Sequence, residues 1–365
     1  QCSTSHAPSA FNTKVSVWAV FNALACAGRH TKLEYSAMRL NSLHPCACLY
    51  FSTHPLGTST VKLSLFTPKN NNMTLKSVIS VAQKLVDKFG GYFTPSTYAS
   101  NINNAIQGSA SRSYDTSTDT NLEWVTNFST KIQGHQIRAM AGYSWNYGVA
   151  SGMSASNQNF DSDLLTFNDL GSGLKAGEDG ETRMDSYKND HTLISFFARV
   201  NYDWKERYML SASLRYEGSS RFGANHKWGY FPAVSLGWRL SDEPWMQSAS
   251  SWLNDLKVRY DYGVTGNQDF GNYQSLATYR SFGYYEYQGE RFKVWGPSKN
   301  VNADLRWEKG HNQNFGVDFS MFNHRLSGSI NYFLRYQTDL LGEYDVPVPP
   351  NLFNKIYANV GTMRN

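Results

Sequence analysis

From residue 121 onward, apolar and polar side chains alternate with a period of two, the spacing of a β-strand with two unlike faces. Over 194–204 one face carries Ile194, Phe196, Ala198, Val200, Tyr202 and Trp204, and the other carries Ser195, Phe197, Arg199, Asn201 and Asp203. The turn Lys205-Glu206 leads into a second strand, with Tyr208, Leu210, Ala212, Leu214 and Tyr216 set against Met209, Ser211, Ser213, Arg215 and Glu217. The same rhythm predicts strands over 228–240, 256–264, 314–321 and 326–336, and an earlier pair over 122–132 and 136–147 about Gly134-His135. Eight strands are expected.

The links between them alternate in length. Those at 134–135, 205–206 and 322–325 are short, whereas 148–191, 218–227, 265–303 and 337 onward are long. Ser241–Asn254, on the short side, is longer than its fellows and reads as a capping turn or helix around Pro244, Trp245 and Met246. Aromatic residues crowd the strand ends, as in Trp204, Tyr208, Tyr216, Trp228, Tyr230 and Trp238. Ring belts at strand ends and unequal loops on two sides are what a membrane-crossing barrel requires. A soluble β-sandwich alternates in the same way; it would seal Phe196, Leu214, Val234 and Ile330 between two sheets.

Composition favours the barrel. Aromatics make up 15% of the chain (23 Tyr, 21 Phe, 10 Trp) and charged residues only 17%. The mean hydropathy of −0.50 fits a wall in which only every second residue meets lipid. There is no run of about 18 apolar residues, so a helical span is excluded and only a closed sheet can satisfy its backbone in a bilayer. The net charge of +5 is not gathered into a stripe, which argues against nucleic acid as partner. The expected fold class is all-β: an antiparallel transmembrane β-barrel segment, part of a large outer-membrane barrel.

Three blocks then carry a resemblance. The first is Tyr216-Glu217-Gly218-Ser219-Ser220-Arg221-Phe222-Gly223, followed by Tyr230-Phe231-Pro232-Ala233-Val234-Ser235 and Gly237-Trp238-Arg239. The second is Leu256-Lys257-Val258-Arg259-Tyr260 with Tyr262-Gly263-Val264-Thr265-Gly266-Asn267-Gln268. The third is Leu305-Arg306-Trp307-Glu308-Lys309, with Asn314, Gly316, Asp318 and Phe319, running into Arg325-Leu326-Ser327-Gly328-Ser329. In this order they resemble the SusC/RagA family of TonB-linked outer-membrane proteins. The resemblance covers roughly 88–365. It implies location in the bacterial outer membrane and import of oligosaccharide or peptide substrates, energised by TonB through a plug domain and aided by a SusD-like lipoprotein. It implies no enzyme and no cofactor. A passive or structural outer-membrane barrel, or a surface glycan-binding β-protein, is the alternative.

Residues 1–87 depart from this pattern and are expected to be an irregular, unassigned leader unlike the family's plug. They hold all four cysteines (Cys2, Cys26, Cys46, Cys48). Val15–Ala25 before Cys26 only faintly resembles a lipoprotein signal, and Cys46 and Cys48 lack the paired spacing of a zinc site. The chain opens on Gln1 and ends on Asn365 rather than on an aromatic residue. With a transporter barrel needing about 22 strands, it is expected to be a fragment supplying part of a wall.

Motifs for phosphate binding, metalloprotease or serine-hydrolase chemistry are absent from the sequence, and no catalytic, cofactor or metal residues are assigned. Acidic loop residues Asp161, Asp163, Glu178, Asp179, Glu181 and Asp185 read as a solvated loop in preference to a Ca²⁺ site. On the polar face Arg199, Arg215, Arg239, Arg259 and Arg335 are expected to face the lumen, as wall residues paired with Asp203, Glu217, Asp261 and Asp318 or in contact with substrate. In the long link 265–303, Phe282, Tyr284, Tyr285, Tyr287, Phe292 and Trp295 are candidates for stacking on sugar rings or meeting a partner subunit.

Overall fold

The computed structural model describes residues 46–54, 58–66, 73–175 and 184–365. Its main feature is one antiparallel sheet of twelve strands, each paired with the next along the sheet. In chain order these are β1 (Cys46–His54), β2 (Thr58–Phe66), β3 (Met73–Thr94), β4 (Ser109–Ile132), β5 (His135–Gln158), β6 (Met184–Trp204), β7 (Tyr208–Ser219), β8 (Trp228–Arg239) and β9 (Leu253–Asn267). The hairpin of β10 (Tyr279–Tyr287) and β11 (Glu290–Pro297) stands apart, and β12 (Glu308–Met321) and β13 (Leu326–Thr338) return to the sheet. A second separate hairpin, β14 (Leu341–Asp345) and β15 (Lys355–Asn359), precedes the edge strand β16 (Thr362–Arg364). A short helix, α1 (Ala99–Asn103), lies between β3 and β4. Strands β1 and β16 are the two edges, and the sheet is not closed on itself.

All eight expected strands are present, and their register puts like side chains in rows. Ile137, Tyr202, Leu210, Leu236, Tyr260, Phe315 and Tyr332 are mutual partners across β5 to β13. The apolar face is bare. Phe196 is 48% exposed, Leu214 45%, Val234 37% and Ile330 68%, so no second sheet covers them and the sandwich is ruled out. In water such a surface would not stay unpartnered.

The strands outrun the sequence reading. β4 and β5 have 24 residues each and β6 has 21, because the ladder continues past the apolar stretch through hydroxyl-rich positions such as Thr116, Thr118 and Thr120. The expected leader is also shortened. β3 starts at Met73 and pairs with β4 from Met73↔Thr130 to Thr94↔Ser109, so the sheet includes residues placed before 88. Its outward face (Leu75, Ser77, Ile79, Val81, Gln83, Leu85) is broken by polar positions, and Val78 and Val86 lie on the other face, which hides the alternation. The signal and zinc readings fall on side chains outside the described residues.

Two turns differ in detail and a third, 322–325, falls where expected. The β4–β5 turn is Gln133-Gly134, both at positive φ, one residue before the expected pair. Between β6 and β7 the loop has three residues, 205–207, since Trp204 pairs with Tyr208. At 322–325 Phe322, Asn323 and His324 all have positive φ. The link 240–252 holds two 3₁₀ segments, Leu240–Asp242 and Pro244–Ala249, as the proline suggested.

The buried core sits at the long-link end. β8 pairs with β7 along most of its length but with β9 only from Ala233 onward. Pro232, lacking an N–H, marks the place where that ladder stops. Into the split pack Phe222, Phe231, Val264, Leu305 and Trp307. The Trp307 indole donates to the Lys227 carbonyl at 2.9 Å. Gly223 donates to the Leu305 carbonyl at 2.9 Å, and a Cβ at Gly223 would overlap the Ala303 carbonyl. The three blocks of family-like sequence therefore meet in one cluster.

Candidate functional site

Two belts of stacked rings define the depth of the wall in a membrane. At the short-turn end His135, Trp204, Tyr208 and Trp238 stack in series at 5.7, 5.4 and 6.2 Å. Toward the long links Tyr143, Phe196, Trp228, Tyr216 and Tyr230 form the other belt, at 5.2, 6.3, 4.6 and 4.4 Å. From Tyr208 to Tyr216 is about 27 Å along a strand, or roughly 21 Å along the membrane normal at a tilt near 40°. That matches an apolar band of a bilayer. At 24 residues each, β4 and β5 are about three times as long as that span, so their upper parts stand beyond the membrane on the long-link side.

Glu243, buried in the link below β8, fastens the lower belt. Its carboxylate accepts from the Tyr208 hydroxyl at 2.6 Å and the Trp238 indole at 2.9 Å, with Arg207 at 3.4 Å. The Tyr208 hydrogen bond first, and the Trp238 one next, hold its pKa below the ordinary value.

On the opposite, polar face the arginines take different roles. Arg215 pairs with Glu217 at 2.6 Å, and both meet the fully buried Ser195 hydroxyl, at 3.2 and 2.9 Å. Arg259 grips Asp318 with two nitrogens, at 2.9 and 3.1 Å, and donates to Asn331 at 2.8 Å. Gly316 makes this possible, because a Cβ there would lie 3.0 Å from the guanidinium. Asp261 is held by Ser235 and by Asn314 instead of by an arginine, and Asp203 accepts from the Glu206 amide. Arg239 lies at the lower rim, 3.5 to 4.0 Å from Asp255, Asp242 and Glu206. Arg335 is exposed beside edge strand β16.

Arg199 differs from these. Among the described residues it has no hydrogen bond or ion pair, and it borders a 300 Å³ hollow with Ser211, Ser213, Ser235, Asp261 and Asn314. It sits between the two belts, near mid-membrane, where only a hydrated or ligand-filled interior leaves an arginine at low cost.

The six aromatic candidates lie on the β10–β11 hairpin, which the long-loop expectation missed. Phe282, Tyr284, Tyr285, Tyr287, Phe292 and Trp295 are all exposed; Tyr285 pairs with Phe292, and Arg291 and Lys293 lie over Tyr284 and Trp295. β14–β15 is laced to the chain before β12 by asparagines: Asn300 donates to the Phe353 carbonyl at 2.6 Å, Asn302 to Tyr357 at 3.0 Å and Asn359 to Arg306 at 2.7 Å. Just below, buried Glu308 accepts from Asn267, Gln337 and the Leu341 amide at 3.1 to 3.2 Å. Of the acidic loop residues, Asp163 binds the Ser96 amide and hydroxyl, while 178–181 lie outside the described residues. Ser195 and Glu308 were placed by the sequence, on the polar face and in the third block, but given no role, and Asn331 was not singled out at all.

The family of TonB dependent receptor-like β-barrels matches residues 57–365. The chain belongs to that family. Within it, the chain is of SusC/RagA type and is an outer-membrane protein. It is 38% identical over 236 residues to TonB-dependent receptor P39 of Formosa agariphila, covering 63% of this chain and 21% of that protein. Against TonB-dependent receptor SusC of Bacteroides thetaiotaomicron it is 34% identical over 184 residues, 49% of this chain and 18% of that protein. A structure of the RagAB peptide importer in its closed-closed state superposes with a TM-score of 0.68 at 25% identity, over 84% of this chain and 32% of that one. This receptor chain thus spans about a fifth of the length of these curated relatives. The family match also begins 31 residues before position 88 (88 − 57).

Proposed function

We propose that this chain supplies part of the wall and outer loops of an importer that moves oligosaccharides or peptides across the outer membrane, and that it catalyses no reaction. TonB drives the transport through a plug domain, and a SusD-like lipoprotein closes over the outer loops. The observation that carries this reading is the polar face at membrane depth, with Arg199 unpaired among the described residues and bordered by serines, asparagines and Asp261. A narrow pore would have to neutralise that charge, whereas a wide interior filled by a plug and visited by polar substrates gives it water and ligands. The similarity to a peptide importer and to SusC supports the substrate classes. On this reading Arg199, Arg215 and Arg259 line the path, and the β10–β11 rings face the lipoprotein or incoming substrate.

Uptake tests it. Cells carrying the complete receptor gene are given oligosaccharide or peptide mixtures, with TonB intact or deleted. Uptake should require both the receptor and TonB. Uptake that persists unchanged without TonB would overturn the importer and favour a passive barrel.

A further inference from the structure

The β10–β11 ribbon stands apart from the sheet, on the long-link side, and its two faces differ. Arg280 belongs to the face that carries Tyr285, Tyr287 and Phe292. Its guanidinium lies 4.8 Å from the centre of the Phe282 ring and 5.7 Å from that of Phe353, which fastens this face to the β14–β15 hairpin. The other face presents Arg291, Tyr284, Lys293 and Trp295 in a zigzag. Tyr284 opposes Lys293, Arg291 lies 5.2 Å from the centre of the Tyr284 ring, and Lys293 lies 5.4 Å from that of Trp295. Both rings are 62% exposed.

These two cations are unspent. Among the described residues Arg291 and Lys293 make no ion pair and no side-chain hydrogen bond, although Glu286 stands directly opposite Arg291. Elsewhere Arg215, Arg259 and Arg306 close on carboxylates at 2.6 to 2.9 Å. A cation held over a ring keeps its N–H donors free for an anion, and each ring keeps its second face. Cation, ring, cation, ring is an order that suits a ligand with flat apolar faces and acidic groups at its edges. The C–H face of a pyranose packs on an aromatic ring, while a carboxylate or sulfate on the same sugar accepts charge-assisted hydrogen bonds from Arg and Lys. We propose, resting on the importer reading above, that this face of the β10–β11 ribbon binds an acidic oligosaccharide bearing carboxylate or sulfate groups and selects it over neutral sugars. An acidic peptide offers the charge without the flat faces that Tyr284 and Trp295 fit.

The test is calorimetric titration of the complete receptor in mild detergent with tetragalacturonate, a sulfated galactan tetrasaccharide, neutral maltotetraose and tetraglutamate. At least one acidic sugar should bind tenfold or more tighter than maltotetraose, and the preference should shrink as salt rises. Arg291→Gln/Lys293→Gln should erase the preference and Arg291→Lys/Lys293→Arg should keep most of it. Tyr284→Ala/Trp295→Ala should weaken binding of every sugar, whereas Tyr287→Ala, on the opposite face, should change nothing; heat-modifiable mobility reports folding of each variant. Equal binding of acidic and neutral sugars, a preference that survives loss of both cations, tetraglutamate bound as tightly as the acidic sugars, or no sugar bound at all would overturn the proposal. TonB does not enter this measurement. A receptor that selects acidic sugars yet imports nothing through TonB would sink the importer reading alone, and TonB-dependent uptake without that selectivity would sink the site alone.

Discussion

At the residue scale, a few side chains convert an alternating strand into a wall with a fixed depth. Glu243 does so for the lower belt, where two rings donate to one carboxylate. Because these bonds hold its folded pKa below the ordinary 4.5, the carboxylate's stabilisation is fully present above that value and is lost as pH falls through the lower, folded one. Glu243→Gln should therefore be less stable than wild type at neutral pH, and the gap should close as pH drops below about 4.5. Heat-modifiable mobility measured between about pH 3 and 7 checks this; a gap that does not change with pH would show that the charge is unimportant. The charges on the polar face were legible from alternation, but their partners were not. Arg215 pairs with Glu217 and Arg259 with Asp318, while Asp261 is held by Ser235 and Asn314. Pairing depends on which positions face each other across two ladders, and a single strand's pattern does not contain that.

At the element scale, register and turn geometry decide more than propensity. The pair Gln133-Gly134, at φ 49° and 84°, closes a two-residue hairpin whose twist suits the flanking strands, and asparagine is the residue most at ease at its first position. Gln133→Asn should raise stability by a few tenths to about 1 kcal/mol, read as a higher unfolding midpoint in detergent; an unchanged or lower midpoint would contradict the turn assignment. The eight strands with a continuous apolar face were readable to within a few residues at their membrane ends. Their outer ends were not, since Thr116, Thr118 and Thr120 leave the lipid face without any change in backbone pairing. β3 escaped for the same reason, with Ser77 and Gln83 on its outward face. The β10–β11 and β14–β15 hairpins were hidden inside long links, where aromatic and charged residues mix on both faces.

At the scale of the whole molecule, the two faces live in different solvents, and neighbouring positions should respond oppositely to charge. Val200 faces lipid midway between the belts, and Ser211 faces the polar hollow. Val200→Arg should cost about 2–4 kcal/mol, whereas Ser211→Arg should cost far less; equal penalties in a folding titration into bilayers would refute the assignment of faces. The sequence alone determined the fold class, the membrane-crossing period, the alternation of short and long links and the family, because each depends on residue type at a fixed spacing along one strand. Tertiary structure alone decided how the three motif blocks join: Phe231, Val264 and Trp307 come from separate stretches of the chain and meet only where Pro232 ends the β8–β9 ladder and the sheet opens to receive them. Burial in that split is a property of two strands parting, and no single segment encodes it.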